Sequence, residues 1–278
     1  MIGLLITLFS TLAYTLKFSY LKDLKDLPIS KSSLNMFYRL ASLPFIILFF
    51  FILKERLVIS NNNFWIWGML ALTINVLLSL AQTYIFQKHQ FSSVESFSFM
   101  EIVFTTLAGY LFLGEVLLPK QIIGIIIILC ASIFVYWKEH KLGHFLINLE
   151  IAAYYLIPAV ACLFNKIAIR LSSPIIFSLF ITIGLIISFL ILSKNKAYKI
   201  NNIKINKLII FIGLLTAFSL IGISYGFKLL PIGIVSTILT LKVFFSLWLA
   251  RKKYGEKNLG YKIFSSALAF IGVIILFL

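Results

Sequence analysis

Residues 84–115, YIFQKHQFSSVESFSFMEIVFTTLAGYLFLGE, are followed 141 positions later by residues 225–256, YGFKLLPIGIVSTILTLKVFFSLWLARKKYGE, and the two stretches keep one register. Tyr84, Phe86, Val94, Gly114 and Glu115 recur as Tyr225, Phe227, Val235, Gly255 and Glu256, with Ser96 over Thr237, Phe104 over Phe245 and Thr105 over Ser246. Identity without a slip across such a span reads as an internal duplication. Five long apolar segments flank or contain each copy, and an odd number of crossings sets the second copy upside down in the bilayer relative to the first. Inverted repeats of this kind build secondary transporters, with the substrate site near the midplane.

Working outward from the repeat, composition sets the solvent. Hydrophobic residues make up 61% of the 278 and mean hydropathy is +1.05, so the chain requires lipid around it. At roughly 20 residues per crossing, segments fall at 2–20, 33–53, 64–86, 92–113, 119–137, 150–169, 174–193, 207–227, 231–249 and 259–278. The expected fold class is therefore an all-α integral membrane protein, with ten transmembrane helices as two inverted five-helix repeats, 1–143 and 144–278. Connecting loops reach only about thirteen residues, which leaves no room for a nucleotide-binding module and disfavours transport driven by ATP within this chain. The first segment lacks a basic stretch before its apolar run and continues into Lys17 and Tyr20, so it reads as a retained helix rather than a secretion signal. Cys130 and Cys162 both fall within apolar segments, and neither a disulfide, a metal nor any other cofactor is implied.

The formal charge of +16 would suggest nucleic acid in a soluble protein. Here the basic residues sit in short loops, where they set orientation, and nucleic-acid binding is excluded as a reading. Fourteen of them, from Lys22 to Lys257, fall on the side of the odd-numbered loops, against Lys54, Arg56, Lys120, Arg170 and Lys228 on the other. The positive-inside rule then places both chain ends outside.

Glu101 and Lys242 are separated by 141 residues and so hold the same position in the two copies. A lone charge at the bilayer centre costs at least about 3 kcal/mol, so such groups face a partner or a wet cavity. Related by the pseudo-two-fold axis, the two can meet as an ion pair, either structural or exchanged against substrate or proton. Helical spacing puts Ser98 and Thr105 on the face of Glu101, and Ser246 on that of Lys242. Further stripes run along the first segment (Thr7, Ser10, Tyr14, Lys17), the third (Asn75, Ser79, Gln82) and the sixth (Tyr155, Pro158, Cys162, Asn165, with Lys166 beside them). These residues either line a cavity or serve helix packing, and Lys17 and Lys166 can also reach the headgroups from span ends. Glu95 is read on a different face from Glu101 and near the interface, Arg39 as an anchor or a gate, and Pro44 and Pro158 as kinks. Trp65, Trp67, Trp137 and Trp248 near span ends match an interfacial belt.

The run Phe99-Met100-Glu101-Ile102-Val103-Phe104, then Leu111-Phe112-Leu113-Gly114-Glu115 and Gln121-Ile122-Ile123-Gly124, resembles the drug/metabolite transporter superfamily, specifically its ten-helix EamA-type permeases. Tyr254-Gly255-Glu256 with Lys262 and Gly272 is a weaker second copy of the pattern. The resemblance implies a permease whose first, third, fourth, sixth, eighth and ninth segments line the site, and whose ends both lie in the cytoplasm, against the loop-charge count. Ile102 stands where the family often has proline. The small four-helix relatives couple protons through an acid on helix one, whereas this helix one has no acid and carries Lys17, which disfavours export of lipophilic cations by that route.

These readings converge on a gradient-driven carrier of a small polar solute, working by alternating access as a multi-pass protein of the plasma membrane, in bacteria the inner membrane, and as a monomer or homodimer. Its substrate-binding candidates are Tyr14, Lys17, Asn75, Ser79, Gln82, Glu101, Thr105, Asn165, Lys166, Lys242 and Ser246. Because Lys17, Lys166 and Lys242 outnumber the acids there, the expected solute is anionic or zwitterionic. The alternative is flipping of a lipid-linked carrier, or service as a subunit of a membrane assembly. Neither a zinc-binding His pair nor a nucleophile elbow appears, and His89, His140 and His144 are read as loop residues outside any catalytic constellation, so enzyme activity is not expected.

Overall fold

A computed structural model describes residues 2–27, 29–54, 59, 61–113, 118–140, 145–193, 203–230 and 232–277. The Gly114-Glu115 pair of the repeat, His144 and the basic loop 194–202 lie outside them. All regular structure among the described residues is helical: α1 (Ile2–Asp23), α2 (Lys31–Leu53), α3 (Phe64–Lys88), α4 (Phe91–Ser96), α5 (Phe99–Leu113), α6 (Pro119–His140), α7 (Phe145–Tyr154), α8 (Leu156–Arg170), α9 (Pro174–Ser193), α10 (Ile203–Leu229), α11 (Ile232–Thr240), α12 (Lys242–Tyr254) and α13 (Gly260–Phe277). In hydrocarbon each backbone N–H and C=O must be satisfied within its own segment, which an apolar helix does. Among the described residues, seven stretches are long and apolar enough to cross a bilayer: those in α1, α2, α3, α6, α9 and α10, and Leu149–Arg170 across α7 and α8. This is a multi-pass membrane protein.

Three of the ten expected segments are not continuous: the breaks in the fourth and ninth correct the sequence reading, and the one in the sixth agrees with the kink read at Pro158. The fourth breaks into α4 and α5, where Phe97 N–H reaches Val94 O at 3.2 Å and Ser98 N–H reaches Glu95 O at 3.0 Å, three-residue closures that tighten the turn. Just ahead of that break, the Ser96 hydroxyl donates back to Ser92 O at 2.8 Å. The sixth segment breaks at Tyr155, whose N–H donates to Ala152 O. Pro158 supplies the cause: it has no N–H to give to the Tyr154 carbonyl, and its ring crowds that oxygen. The hydroxyl of Tyr155 then donates to Val94 O at 2.8 Å, tying this break to the end of α4. The ninth segment breaks at Leu241, N–H to Ile238 O, with no helix-breaking residue to announce it. Pro44, by contrast, sits inside an unbroken α2.

The chain forms two compact units, Met1–Gln87 with Phe164–Leu230, and Lys88–Leu163 with Pro231–Leu278. Each draws on both halves of the sequence. In the first, α10 packs on α1 and α2, and α2 on α9. Glycines of α10 allow the close approach: a Cβ on Gly222 would lie 1.7 Å from Ser10 Oγ, one on Gly226 2.6 Å from Thr7 Oγ1, and one on Gly213 2.7 Å from the backbone carbonyl carbon of Ala41. Thr7 and Ser10 donate to the carbonyls of Gly3 and Ile6 in their own helix. The early part of the polar stripe on α1 is therefore a packing seam of small residues.

In the second unit α13 packs on α6 and α12 on α4. A Cβ on Gly272 would meet Gly124 O at 2.9 Å, and Ser265 Oγ donates to Ala131 O at 2.7 Å. Gly255 ends α12 with φ +60°, the left-handed conformation that glycine takes without a Cβ clash. Glu256 beside it accepts the backbone N–H groups of Phe91 and Ser92 at 3.0 and 3.2 Å, and the Ser92 hydroxyl. Lys262 donates to Ser92 Oγ and Ser93 Oγ, both at 2.8 Å. The Gly-Glu pair of the second copy thus clamps the start of α4.

Candidate functional site

Buried polar side chains gather in two clusters, one in each compact unit. The first is built by helical spacing on three helices: Tyr14, Lys17 and Phe18 on α1, Asn35, Tyr38 and Arg39 on α2, and Ser79, Gln82 and Thr83 on α3. Lys17 is 3% exposed and its ammonium lies over the rings of Phe18, Tyr38 and Tyr14 at 4.7, 5.1 and 5.7 Å. Gln82 Nε2 donates to Tyr14 Oη at 2.6 Å. Arg39, 7% exposed, reaches Ser79 Oγ through one guanidinium nitrogen at 3.3 Å. Asn35 donates to Thr83 Oγ1 at 2.8 Å and accepts from the Tyr38 hydroxyl. A separate pair joins α3 to α8, with Asn75 Nδ2 donating to Asn165 Oδ1 at 2.7 Å. Lys166 is buried next to it on α8, rather than reaching out from the span end.

The second cluster holds the acids. Lys242 Nζ, at the start of α12, stands 3.8 Å from Glu95 Oε2, and Glu95 is fully buried. This revises two expectations at once: the acid paired with Lys242 among the described residues is Glu95 rather than Glu101, and Glu95 lies inside the unit rather than near the interface. The break at Phe97-Ser98 is the physical reason. Facing positions on an unbroken helix follow a 3.6-residue period, and two tightened turns between Glu95 and Glu101 shift that phase. Glu101 still interacts electrostatically with Lys242 and with Glu95. Its carboxylate also receives the Cys162 thiol, with Sγ 3.7 Å from Oε1. Thr105 is turned to its own helix, donating to Glu101 O at 2.7 Å. Ser246 is buried one turn after Lys242, and its hydroxyl, like those of Ser98 and Ser236 and both Glu95 carboxylate oxygens, makes no hydrogen bond.

All eleven sequence candidates therefore divide between these places. Tyr14, Lys17, Ser79 and Gln82 share the first cluster; Asn75, Asn165 and Lys166 form the α3–α8 contact and its neighbour; Glu101, Thr105, Lys242 and Ser246 belong to the second cluster. Sequence reasoning undervalued Arg39, Glu95 and Cys162. A signal for Arg39 existed in the spacing, since Asn35, Tyr38, Arg39 and Ser42 form one polar face of an otherwise apolar helix. No comparable signal existed for Glu95, because its face is set by an unannounced turn.

Chemically, the first cluster offers two cations set among rings, hydroxyls and amides. The second offers two carboxylates, one ammonium and several hydroxyls. Both place ionisable groups in a low-dielectric setting, where each is costly unless it meets a partner or a wet cavity.

A solved crystal structure of a protein is similar over 99% of this chain and 98% of its own, with a TM-score of 0.72 at 13% identity, a likeness of fold. No curated protein matches the chain. Residues 1–137, just under half of the chain, match the model of the EamA-like transporter family.

Proposed function

We propose that the chain is a secondary carrier that moves a small anionic or zwitterionic metabolite by alternating access, with its ten apolar segments forming two inverted repeats of five. The family match carries the class, since members of that family are transporters. Supporting the mechanism is the burial of ionisable groups, Glu95 on α4 and Lys242 on α12 above all, at 0% and 5% exposure. Groups so costly to place in lipid are retained where charge must cross. In this reading Lys242 exchanges its acid partner during the cycle, and Glu101 and Glu95 share the role of counter-ion.

Two experiments test the reading. Thermal-shift screening of the purified protein against a metabolite library identifies the solute, because a ligand that binds only the folded form raises the melting temperature. Uptake of that solute into proteoliposomes then requires Lys242: Lys242→Met abolishes flux while the protein still inserts. Full activity in Lys242→Met removes the central role of this lysine.

A further inference from the structure

We propose that Lys17 and Arg39 form the anion-binding site of this protein, taking a carboxylate or phosphate group between α1 and α2. Of the nine acids in the chain, only Asp23, Asp26 and Glu55 belong to the unit that holds these two cations. Asp23 and Asp26 lie at and beyond the end of α1, and Glu55 is outside the described residues. Among the described residues no carboxylate forms an ion pair with Lys17 or Arg39. Both cations face the ring of Tyr38, with Lys17 Nζ 5.1 Å and the guanidinium carbon of Arg39 5.5 Å from its centroid.

What surrounds them does not balance that charge. The Lys17 ammonium lies over the rings of Phe18, Tyr38 and Tyr14, and cation–π contacts offset only part of the cost of removing an ion from water. Arg39 is more than nine-tenths buried and its Nε–H has no hydrogen-bond partner among the described residues. An anionic oxygen that accepts from Arg39 Nε and from the Lys17 ammonium satisfies the orphaned donor and offsets both charges. Gln82 donates to Tyr14 and Arg39 to Ser79, so hydrogen bonds hold the side chains beside the pair in place. The guanidinium is the better discriminator, because its planar fork matches two oxygens of one acid group.

This inference rests on the transporter reading only for the claim that the anion is the cargo; the binding site stands or falls by itself. The test is binding to the full-length protein in neutral detergent, read by calorimetry and thermal shift, with inorganic phosphate, succinate and dihexanoyl phosphatidylglycerol as probes and glycerol as the uncharged control. The expected result is saturable stabilisation by at least one anion, weakened about ten- to hundredfold in Arg39→Gln, with partial recovery in Arg39→Lys. Response to phosphate or succinate marks a soluble ligand, and response to the short-chain lipid alone marks a headgroup. Should Arg39→Gln fail to fold, Lys17→Met, which keeps the apolar stem and removes the charge, reads the same loss. No saturable response by the wild type to any anion, or equal affinity in a folded Arg39→Gln or Lys17→Met variant, overturns the proposal. Binding with no flux in proteoliposomes leaves this site standing and refutes the carrier.

Discussion

At the scale of single residues, the Glu95–Lys242 pair governs what substitution does. Removing one member of a buried pair leaves the other uncompensated, which typically costs 3–5 kcal/mol, whereas removing both charges together is close to neutral. Lys242→Met is therefore expected to destabilise the protein by about 3 kcal/mol, and Lys242→Met/Glu95→Gln to recover most of that loss. A double-mutant cycle on thermal stability in detergent checks this, and additive losses would mean that the 3.8 Å contact carries no coupling. Tyr155→Phe tests the tie between two broken helices: its hydroxyl bond to Val94 O is buried, and its loss should cost about 1 kcal/mol. Glu101 and Lys242 were legible as residues because they occupy matched places in the repeat. Their partners were not, since a contact depends on where neighbouring backbones turn.

Among the helices, glycine decides which faces close. A Cβ at position 213 would press on the Ala41 backbone at 2.7 Å, and backbone cannot swing aside as a side chain does. Gly213→Ala should therefore lower stability by about 1–3 kcal/mol. Gly260→Ala, where nothing lies within 4 Å of the new methyl, should leave it unchanged or slightly raised. Thermal unfolding of both variants in the same detergent separates the two, and equal behaviour would contradict the close crossing of α10 and α2. Helix existence was readable from apolar run length, which is why α2, α9 and α10 lie where hydropathy alone puts them. Helix continuity was not. Only the break three residues before Pro158 had a local cause in the sequence, while those at Phe97 and Leu241 come from packing.

For the molecule as a whole, the proposed ten-segment arrangement makes a prediction about which loops share a side. In a background free of Cys130 and Cys162, single cysteines placed at Lys25 and Lys88 should react with an impermeant thiol reagent from one side of sealed vesicles, and those at Asn61 and Ser172 from the other. Labelling of Lys25 and Asn61 positions from the same side would contradict an unbroken crossing by α2. Alkaline carbonate washing should leave the protein in the membrane, as seven long apolar stretches require.

Sequence by itself determined the solvent, the helical class and the family resemblance of the first half, because each is written in local quantities: apolar run length and a motif with fixed spacing. It also determined which residues are costly in lipid, since charge and position suffice for that. Only the tertiary structure decided that Thr7 and Ser10 serve a glycine seam, that Glu256 clamps α4, that Lys242 faces Glu95, and that Lys17 and Arg39 stand together without an acid. Those are relations between segments far apart in the chain, set by turns of a few residues and by close approach at glycines, and a 3.6-residue period carries no record of them.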